Sequence, residues 1–87
     1  MKKETNDKLQ TRLKKIGGQV RGVQKMLEED EYCIDVITQT SAVRSALKSL
    51  EDALLENHLS TCVVEQIKSG REKIAVKEIL RVYKLKK

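Results

Sequence analysis

The only histidine and the only two cysteines of the chain are the residues best suited to chemistry. Cys33, His58 and Cys62 supply two sulfur donors and one imidazole. Soft thiolates favour Cu(I), and three ligands are too few for a closed structural zinc site. These residue types therefore indicate a copper site if folding brings them together. The plainer interpretation is that each is a structural residue near a helix end.

Apolar residues at heptad spacing predict an all-α protein with three helices, in a single domain that covers residues 1–87. The first helix carries a stripe of Leu9, Leu13, Ile16, Val20, Val23 and Leu27, and Thr5, Asn6 or Asp7 is expected to cap its start. Gly17, Gly18 and Gly22 interrupt this helix, which indicates either a close approach of another helix or a local bend.

A second, longer helix is predicted from the stretch between Cys33 and Ser69, which contains neither glycine nor proline. Its apolar stripe consists of Val36, Thr40, Val43, Leu47, Leu50 and Leu54. Gly70 is expected to end this helix, and a shorter third helix is expected over residues 71–85.

The three candidate ligands share one line along the long helix. At ~100° per residue, His58 and Cys62 each point within about 20° of the direction of Cys33. At ~1.5 Å per residue, however, Cys33 and His58 are roughly 37 Å apart along the axis, so one straight helix cannot bring them together. An antiparallel copy of the helix places the Cys33 end of one chain beside the His58 and Cys62 end of the other. The sequence thus predicts two identical sites in a two-fold symmetric dimer.

The composition gives an independent reason to expect a dimer. The chain has 87 residues with no Phe and no Trp, and its only aromatic residues are two tyrosines. A chain this short buries a modest share of its surface, and aromatic side chains usually provide much of a small core. Burial between subunits is the expected remedy.

The distribution of charge predicts a surface that binds a polyanion. A net charge of +5 divides into +6 for residues 1–25, −7 for residues 26–67 and +6 for residues 68–87. Lys8, Arg12, Lys15 and Gln19 share one flank of the first helix, and Arg44 and Lys48 are the only Lys or Arg residues of the acidic middle. The alternative is that these charges are solvated helix faces without a partner.

The chain has no apolar run near the ~20 residues of a membrane span, and its first residues form no apolar signal region. We therefore expect a cytoplasmic protein without a membrane partner. Its two cysteines should then be reduced and either inert, metal-binding or redox-active.

Three stretches resemble the copper-sensitive operon repressor (CsoR) family over nearly the whole chain. They are RLKKIGGQVRG, EYCIDVITQTSAVRSAL and ENHLSTC. In this family a Cys opens the long helix and a His and a Cys four apart lie near its end. The combination of Cys33, His58 and Cys62 is similar to the copper branch, whereas the nickel/cobalt, formaldehyde and persulfide branches each lack or replace one of these ligands.

The resemblance implies an antiparallel four-helix-bundle dimer that assembles as a dimer of dimers. It implies trigonal Cu(I) held by Cys33 of one chain with His58 and Cys62 of another. Tyr32 and Glu78 match the residues that surround the ligands in the family. DNA contacts are ascribed there to basic residues of the first two helices, and Arg12 matches one of them. Around Lys48 the chain departs from some relatives, whose arginine lies at the position of Ser49.

The function implied is a Cu(I)-responsive transcriptional repressor that binds operator DNA and is released by Cu(I), so that copper-handling genes are expressed. Three alternatives remain open at this point. One is a thiol, persulfide or other metal sensor of the same family, using Cys33 and Cys62. Another is a copper carrier with no DNA role, which the basic patches disfavour. The third is an enzyme with a nucleophilic Cys–His pair, for which no supporting residues are found.

Overall fold

The chain is helical throughout, apart from short turns, in a computed structural model that describes residues 1–86. The helices are α1 (Lys3–Glu28), α2 (Cys33–His58), a π-helical segment (Leu59–Val63), α3 (Val64–Lys68) and α4 (Glu72–Lys86). No non-helical residue separates α2, the π segment and α3, so residues 33–68 form the long second helix that the sequence predicts. The all-α prediction with three helices is confirmed.

An aspartate, not a glycine, ends α1. Asp30 adopts a left-handed conformation with φ of 53°. The Glu31 N–H donates to the Met26 carbonyl at 3.0 Å, and the Asp30 N–H donates to the Leu27 carbonyl at 3.1 Å. This pair of bonds satisfies carbonyls that the helix end leaves free, as in a Schellman motif. The polar residues 28–32, which link the first two helices, thus contain a helix stop followed by a turn.

The helical run of residues 33–68 ends in the same way at the predicted position. Gly70 has φ of 76°, a value that glycine adopts without a steric penalty. The Arg71 N–H donates to the Gln66 carbonyl at 2.7 Å and the Gly70 N–H to the Ile67 carbonyl at 3.1 Å. The prediction that Gly70 stops this helix is confirmed.

The predicted cap of α1 is wrong. The helix begins at Lys3, after Lys2, and no side chain caps it. Thr5, Asn6 and Asp7 therefore lie inside the first turns. The Asn6 side chain accepts a hydrogen bond from Gln10, one turn later, and does not bond to a free N–H group at the helix end. Local pairing along the helix thus replaces the expected capping interaction.

The chain forms two compact units, Met1–Leu54 and the residues from Leu55 onward. In the first unit, Ile16 of α1 and Leu50 of α2 are buried. Other stripe positions remain exposed, among them Leu13 and Val20 at 50% each. Ile16 and Leu50 are thus the buried side chains of this unit, while several apolar positions of the heptad stripes are exposed in a single chain.

The second unit is built around α3 and α4, which pack against each other. Val63 of the π segment and Ala75 of α4 are its buried apolar residues. Ala75 is 2% exposed, which makes it the most deeply buried residue of the small core. A small side chain at this position lets the helix backbone approach its neighbour closely.

The glycines of α1 are not explained by packing within the chain. A Cβ atom on Gly17 or Gly18 would meet only the flexible guanidinium of Arg21, and one on Gly22 would meet no atom within 4 Å. The expected close approach of another helix is therefore not found among the described residues. Nor is any helix of residues 1–86 long and apolar enough to cross a membrane.

Candidate metal centre

Cys33 is the first residue of α2, and Tyr32 starts that helix through its backbone. The Tyr32 carbonyl accepts hydrogen bonds from the N–H groups of Asp35 at 3.0 Å and Val36 at 3.2 Å. The Cys33 side chain is a free, exposed thiol at the helix N-terminus, which is a favourable place for negative charge. The Tyr32 side chain is exposed as well. Cys33 thus offers an accessible sulfur donor.

His58 and Cys62 flank the π segment. His58 is the half-buried last residue of α2, and Cys62 is an exposed free thiol within the segment. A π helix bonds each N–H to the carbonyl five residues back, which makes the turn wider than an α turn. The expectation of a regular α helix between the two ligands is therefore wrong, although about one helical turn still separates them. Such π turns occur frequently at functional sites.

Two hydroxyl groups between the ligands support the wide turn. Ser60 Oγ donates to the Glu56 carbonyl at 2.9 Å and approaches the Asn57 carbonyl at 3.3 Å. Thr61 Oγ1 donates to the Asn57 carbonyl at 2.6 Å. A π turn shifts the N–H partners of these carbonyls by one residue, and the hydroxyls supply additional donors. The residues between His58 and Cys62 thus stabilise the backbone that positions both ligands.

Glu78 is bound to another residue of the second unit. Gln66 of α3 donates from Nε2 to Oε1 of Glu78, on α4, at 2.8 Å. Both side chains are half-buried. The other amide atom, Gln66 Oε1, is shielded from solvent and has no hydrogen-bond partner among the described residues. Glu78 is therefore held in a defined position by a neutral donor.

The three candidate ligands do not assemble within one chain. Among residues 1–86 no group of three or more His, Cys, Asp or Glu side chains is close enough to hold a metal ion. Cys33 opens α2 and His58 closes it, which is the separation that the sequence argument requires.

The candidate DNA-binding residues lie on α1 and α2. Lys15 and Gln19 of α1 and Arg44 and Lys48 of α2 are exposed. Arg12 is half-buried, and its Nη2 donates to Oγ of Ser49 at 2.6 Å. This bond links α1 to α2 and fixes the guanidinium within the first unit.

Three features of these surroundings were not predicted from sequence. They are the Gln66–Glu78 bond, the Arg12–Ser49 bond and the π segment. The first two join residues 12 and 37 positions apart, and no local spacing pattern reveals such pairs. The adjacent hydroxyl residues Ser60 and Thr61 were the one local signal for the third, because Ser and Thr bond readily to backbone carbonyls one turn earlier.

Comparison with known proteins places the chain among metal-responsive regulators. The family model described as metal-sensitive transcriptional repressor matches residues 5–84. The copper-sensing transcriptional repressor CsoR of Bacillus subtilis is 49% identical over 78 residues, which cover 90% of this chain and 77% of that protein. The copper-sensing transcriptional repressor RicR of Mycobacterium tuberculosis is 51% identical over 67 residues, 77% of this chain and 70% of that one.

A solved structure agrees with the fold along nearly the whole length. It is the crystal structure of the copper-sensing repressor CsoR with Cu(I) from Geobacillus thermodenitrificans. The TM-score is 0.94 at 42% sequence identity, with 98% of this chain and 88% of that chain covered. The family match, the sequence relatives and the shared fold agree, and the chain therefore belongs to the metal-sensitive transcriptional repressor family.

Proposed function

We propose that the protein is a Cu(I)-responsive transcriptional repressor of copper-handling genes. It binds operator DNA in the absence of copper and leaves the operator when Cu(I) binds. The observation that carries the proposal is the structural likeness, over 98% of the chain, to a copper-sensing repressor whose crystal structure contains Cu(I). As a repressor it would act on cytoplasmic DNA and have no catalytic role.

The donor set fits Cu(I). Cys33 and Cys62 are exposed free thiols, and His58 is the only imidazole of the chain. Two thiolates and one imidazole are soft ligands, and Cu(I) is the metal that such ligands favour. Because Cys33 and His58 occupy opposite ends of α2, we assign Cys33 of one protomer and His58 and Cys62 of a second to each site.

The exposed apolar stripe supports the oligomer that such a site needs. Leu13 and Val20 of α1 and Leu47 and Leu54 of α2 occupy core positions of the heptad pattern, yet all four are exposed in a single chain. Burying an apolar side chain of this size contributes about 1.5–3 kcal/mol. We infer an antiparallel four-helix-bundle dimer, and a dimer of dimers as the DNA-binding form.

Release from DNA requires that the metal and DNA sites affect each other. Such coupling is typically ~1–3 kcal/mol and acts equally in both directions. A metal-bound histidine usually donates its other ring N–H to a carboxylate or similar acceptor, which fixes the ring. We assign this role to Glu78, and we assign Tyr32, which precedes Cys33 in the sequence, a role in the surroundings of the ligands as well. When bound, Cu(I) supplies the free energy that fixes the orientation of His58, and Glu78 transmits that orientation to α4.

DNA binding would depend mainly on contacts with phosphate groups. Four chains carry four times the formal +5 of one chain, or +20. Neutralisation of phosphates releases counterions, which makes affinity strongly dependent on salt. We assign the contacts to Arg12, Lys15, Gln19, Arg44 and Lys48.

An anaerobic Cu(I) titration tests the function. A labelled duplex selected from a random-sequence pool by the metal-free protein serves as operator, and anisotropy and absorbance are followed together. We expect one Cu(I) per chain and release of the duplex as the sites fill. The His58→Ala protein should remain bound to the duplex when Cu(I) is added. A persulfide donor added without copper tests the thiol-sensor alternative, and release by the persulfide but not by Cu(I) would contradict the proposal.

A further inference from the structure

We propose that Gln66 is a positioning residue that sets the orientation of Glu78 and thereby the strength of coupling between copper and DNA. The inference rests on the proposed function, because it assigns a role within the same site. It starts from the hydrogen bond between these two side chains, which joins α3 to α4 in the second unit.

The bond fixes one oxygen of the Glu78 carboxylate. Gln66 Nε2 lies 2.8 Å from Glu78 Oε1, and both side chains are half-buried. Among residues 1–86, no ion pair or further hydrogen bond holds Glu78. The second carboxylate oxygen, Oε2, thus remains free to accept from another donor. Because Gln66 fixes Oε1, it also restricts the positions at which Oε2 can accept a hydrogen bond.

The chemistry of the pair determines which way the amide faces. An ionised carboxylate can only accept hydrogen bonds, so Gln66 must present its NH₂ group to Glu78. Its Oε1 then points away and remains shielded without a partner. A shielded acceptor without a partner destabilises a fold, which offsets the gain from the bond. The orientation of the amide thus favours a role for Gln66 in positioning Glu78.

His58 belongs to the same unit and has an imidazole N–H to donate once its other nitrogen binds metal. No hydrogen bond of the His58 side chain is found within residues 1–86. Given the role that the proposed function assigns to Glu78, its carboxylate is shared, with Gln66 on Oε1 and His58 on Oε2. Without Gln66, Glu78 can rotate, and the orientation of the histidine is passed to α4 less efficiently.

Gln66→Met tests this role, because methionine has a similar length and no amide. The ratio of operator affinities without and with saturating Cu(I) should fall about three- to tenfold, where tenfold corresponds to about 1.4 kcal/mol. Copper stoichiometry and operator affinity of the metal-free protein should remain unchanged. Gln24→Met, an exposed glutamine of α1 without a recorded hydrogen bond, is the matched control and should leave the ratio unchanged.

A double-mutant cycle separates positioning from a merely structural role. If Gln66 acts through Glu78, Gln66→Met should have no further effect in a Glu78→Ala background. Effects that simply add would overturn the assignment. A large loss of thermal stability in the metal-free Gln66→Met protein, with a weaker operator affinity, would do so as well.

The bond itself can be observed without copper or DNA. The side-chain amide signals of Gln66 should exchange more slowly than those of the other four glutamines in ¹H–¹⁵N spectra of the metal-free protein. Glu78→Ala should abolish the difference, and an unprotected Gln66 amide would overturn the inference. If Cu(I) does not release the unmodified protein, the proposed function fails and this role falls with it. If Cu(I) releases the unmodified protein from the operator but Gln66→Met leaves the ratio of operator affinities unchanged, only the role of Gln66 is overturned.

Discussion

At the residue scale, the proposed site assigns the binding of copper and the response to copper to different side chains. In that site the thiolates of Cys33 and Cys62 would provide most of the affinity for Cu(I). Glu78 and Tyr32 carry no soft donor, and Glu78 is fixed by Gln66 at 2.8 Å. Such neighbours orient a ligand, and their loss should affect the response more than the binding.

Glu78→Ala and Tyr32→Phe should therefore separate binding from regulation. We expect one Cu(I) per chain in both variants, because all three ligands remain. Release of the operator by Cu(I) should be weaker by about five- to tenfold, within the usual range of coupling free energies. Competition with a Cu(I) chelator measures affinity, and anisotropy measures release. Equal losses of affinity and response would reduce both residues to supports for the ligands.

Arg12 and Lys48 give a second test at the residue scale. Removing one phosphate contact should weaken binding to all sequences and reduce the salt slope by about one unit. Arg12→Ala and Lys48→Ala should each do this in the metal-free protein, with copper affinity unchanged. Anisotropy over a salt series provides both quantities. If neither variant changes them, the contacts lie elsewhere, and the basic residues Arg71 and Lys73 become the next candidates.

Ser49→Ala is the companion to Arg12→Ala. Ser49 Oγ accepts a hydrogen bond from Arg12 Nη2 at 2.6 Å. An alanine at position 49 would keep the charge of Arg12 but would no longer fix the position of its guanidinium. We expect a smaller loss of operator affinity than for Arg12→Ala, with the salt slope retained. A loss as large as that of Arg12→Ala would indicate that orientation of the guanidinium, as well as its charge, controls DNA binding.

At the scale of elements, the π segment is where the chain departs from a regular helix. Thr61→Val removes the hydroxyl that bonds the Asn57 carbonyl at 2.6 Å and preserves side-chain shape. We expect a loss of about 1 kcal/mol in unfolding free energy. Thr38→Val is the matched control, because the Thr38 hydroxyl makes the same kind of bond, to the Ile34 carbonyl at 2.8 Å, inside the regular α2 helix. Urea unfolding at one protein concentration should show a smaller change for Thr38→Val.

Gly22 lies inside a helix and Gly70 ends one, so replacing each glycine by alanine tests two different roles. Gly22 lies inside α1 with no atom within 4 Å of an added Cβ, so Gly22→Ala should stabilise the protein by up to about 1 kcal/mol. Gly70 has φ of 76°, so Gly70→Ala should destabilise it by about 1–2 kcal/mol. Thermal unfolding at fixed concentration measures both. Destabilisation by Gly22→Ala would instead reveal another chain packed against that face of α1.

At the scale of the whole molecule, the distribution of ligands predicts two equivalent sites per dimer. Cys33→Ala chains lack one ligand, and His58→Ala/Cys62→Ala chains lack the other two. Each homodimer should therefore bind Cu(I) weakly. A mixed dimer contains one complete site and one site without ligands, so it should bind one Cu(I) tightly. Differently tagged chains, purified as the mixed species, allow the stoichiometry to be measured directly. No tight binding by the mixed dimer would show that a site is not shared in this way.

Sequence by itself determined the helices and the chemistry of the candidate ligands. Heptad spacing and helix-stopping residues act over a few positions, so the extent of the long helix and its end at Gly70 followed from local physics. The proposed metal, Cu(I), was predicted from residue identity alone, because soft donors favour a soft metal. The predicted cap of α1 is wrong, since the helix begins at Lys3 without a side-chain cap and the Asn6 side chain bonds to Gln10 one turn later.

Only the tertiary structure decided which side chains hold the candidate functional residues in place. Gln66 reaches Glu78 because α3 packs on α4, and Arg12 reaches Ser49 because the turn after α1 directs the chain back. Such contacts depend on the rotation of one helix about its axis relative to another, which spacing along a single helix does not specify. The π segment is another feature that spacing along the helix does not specify. One additional residue in a turn changes the direction of every later side chain, while the sequence pattern on either side remains helical.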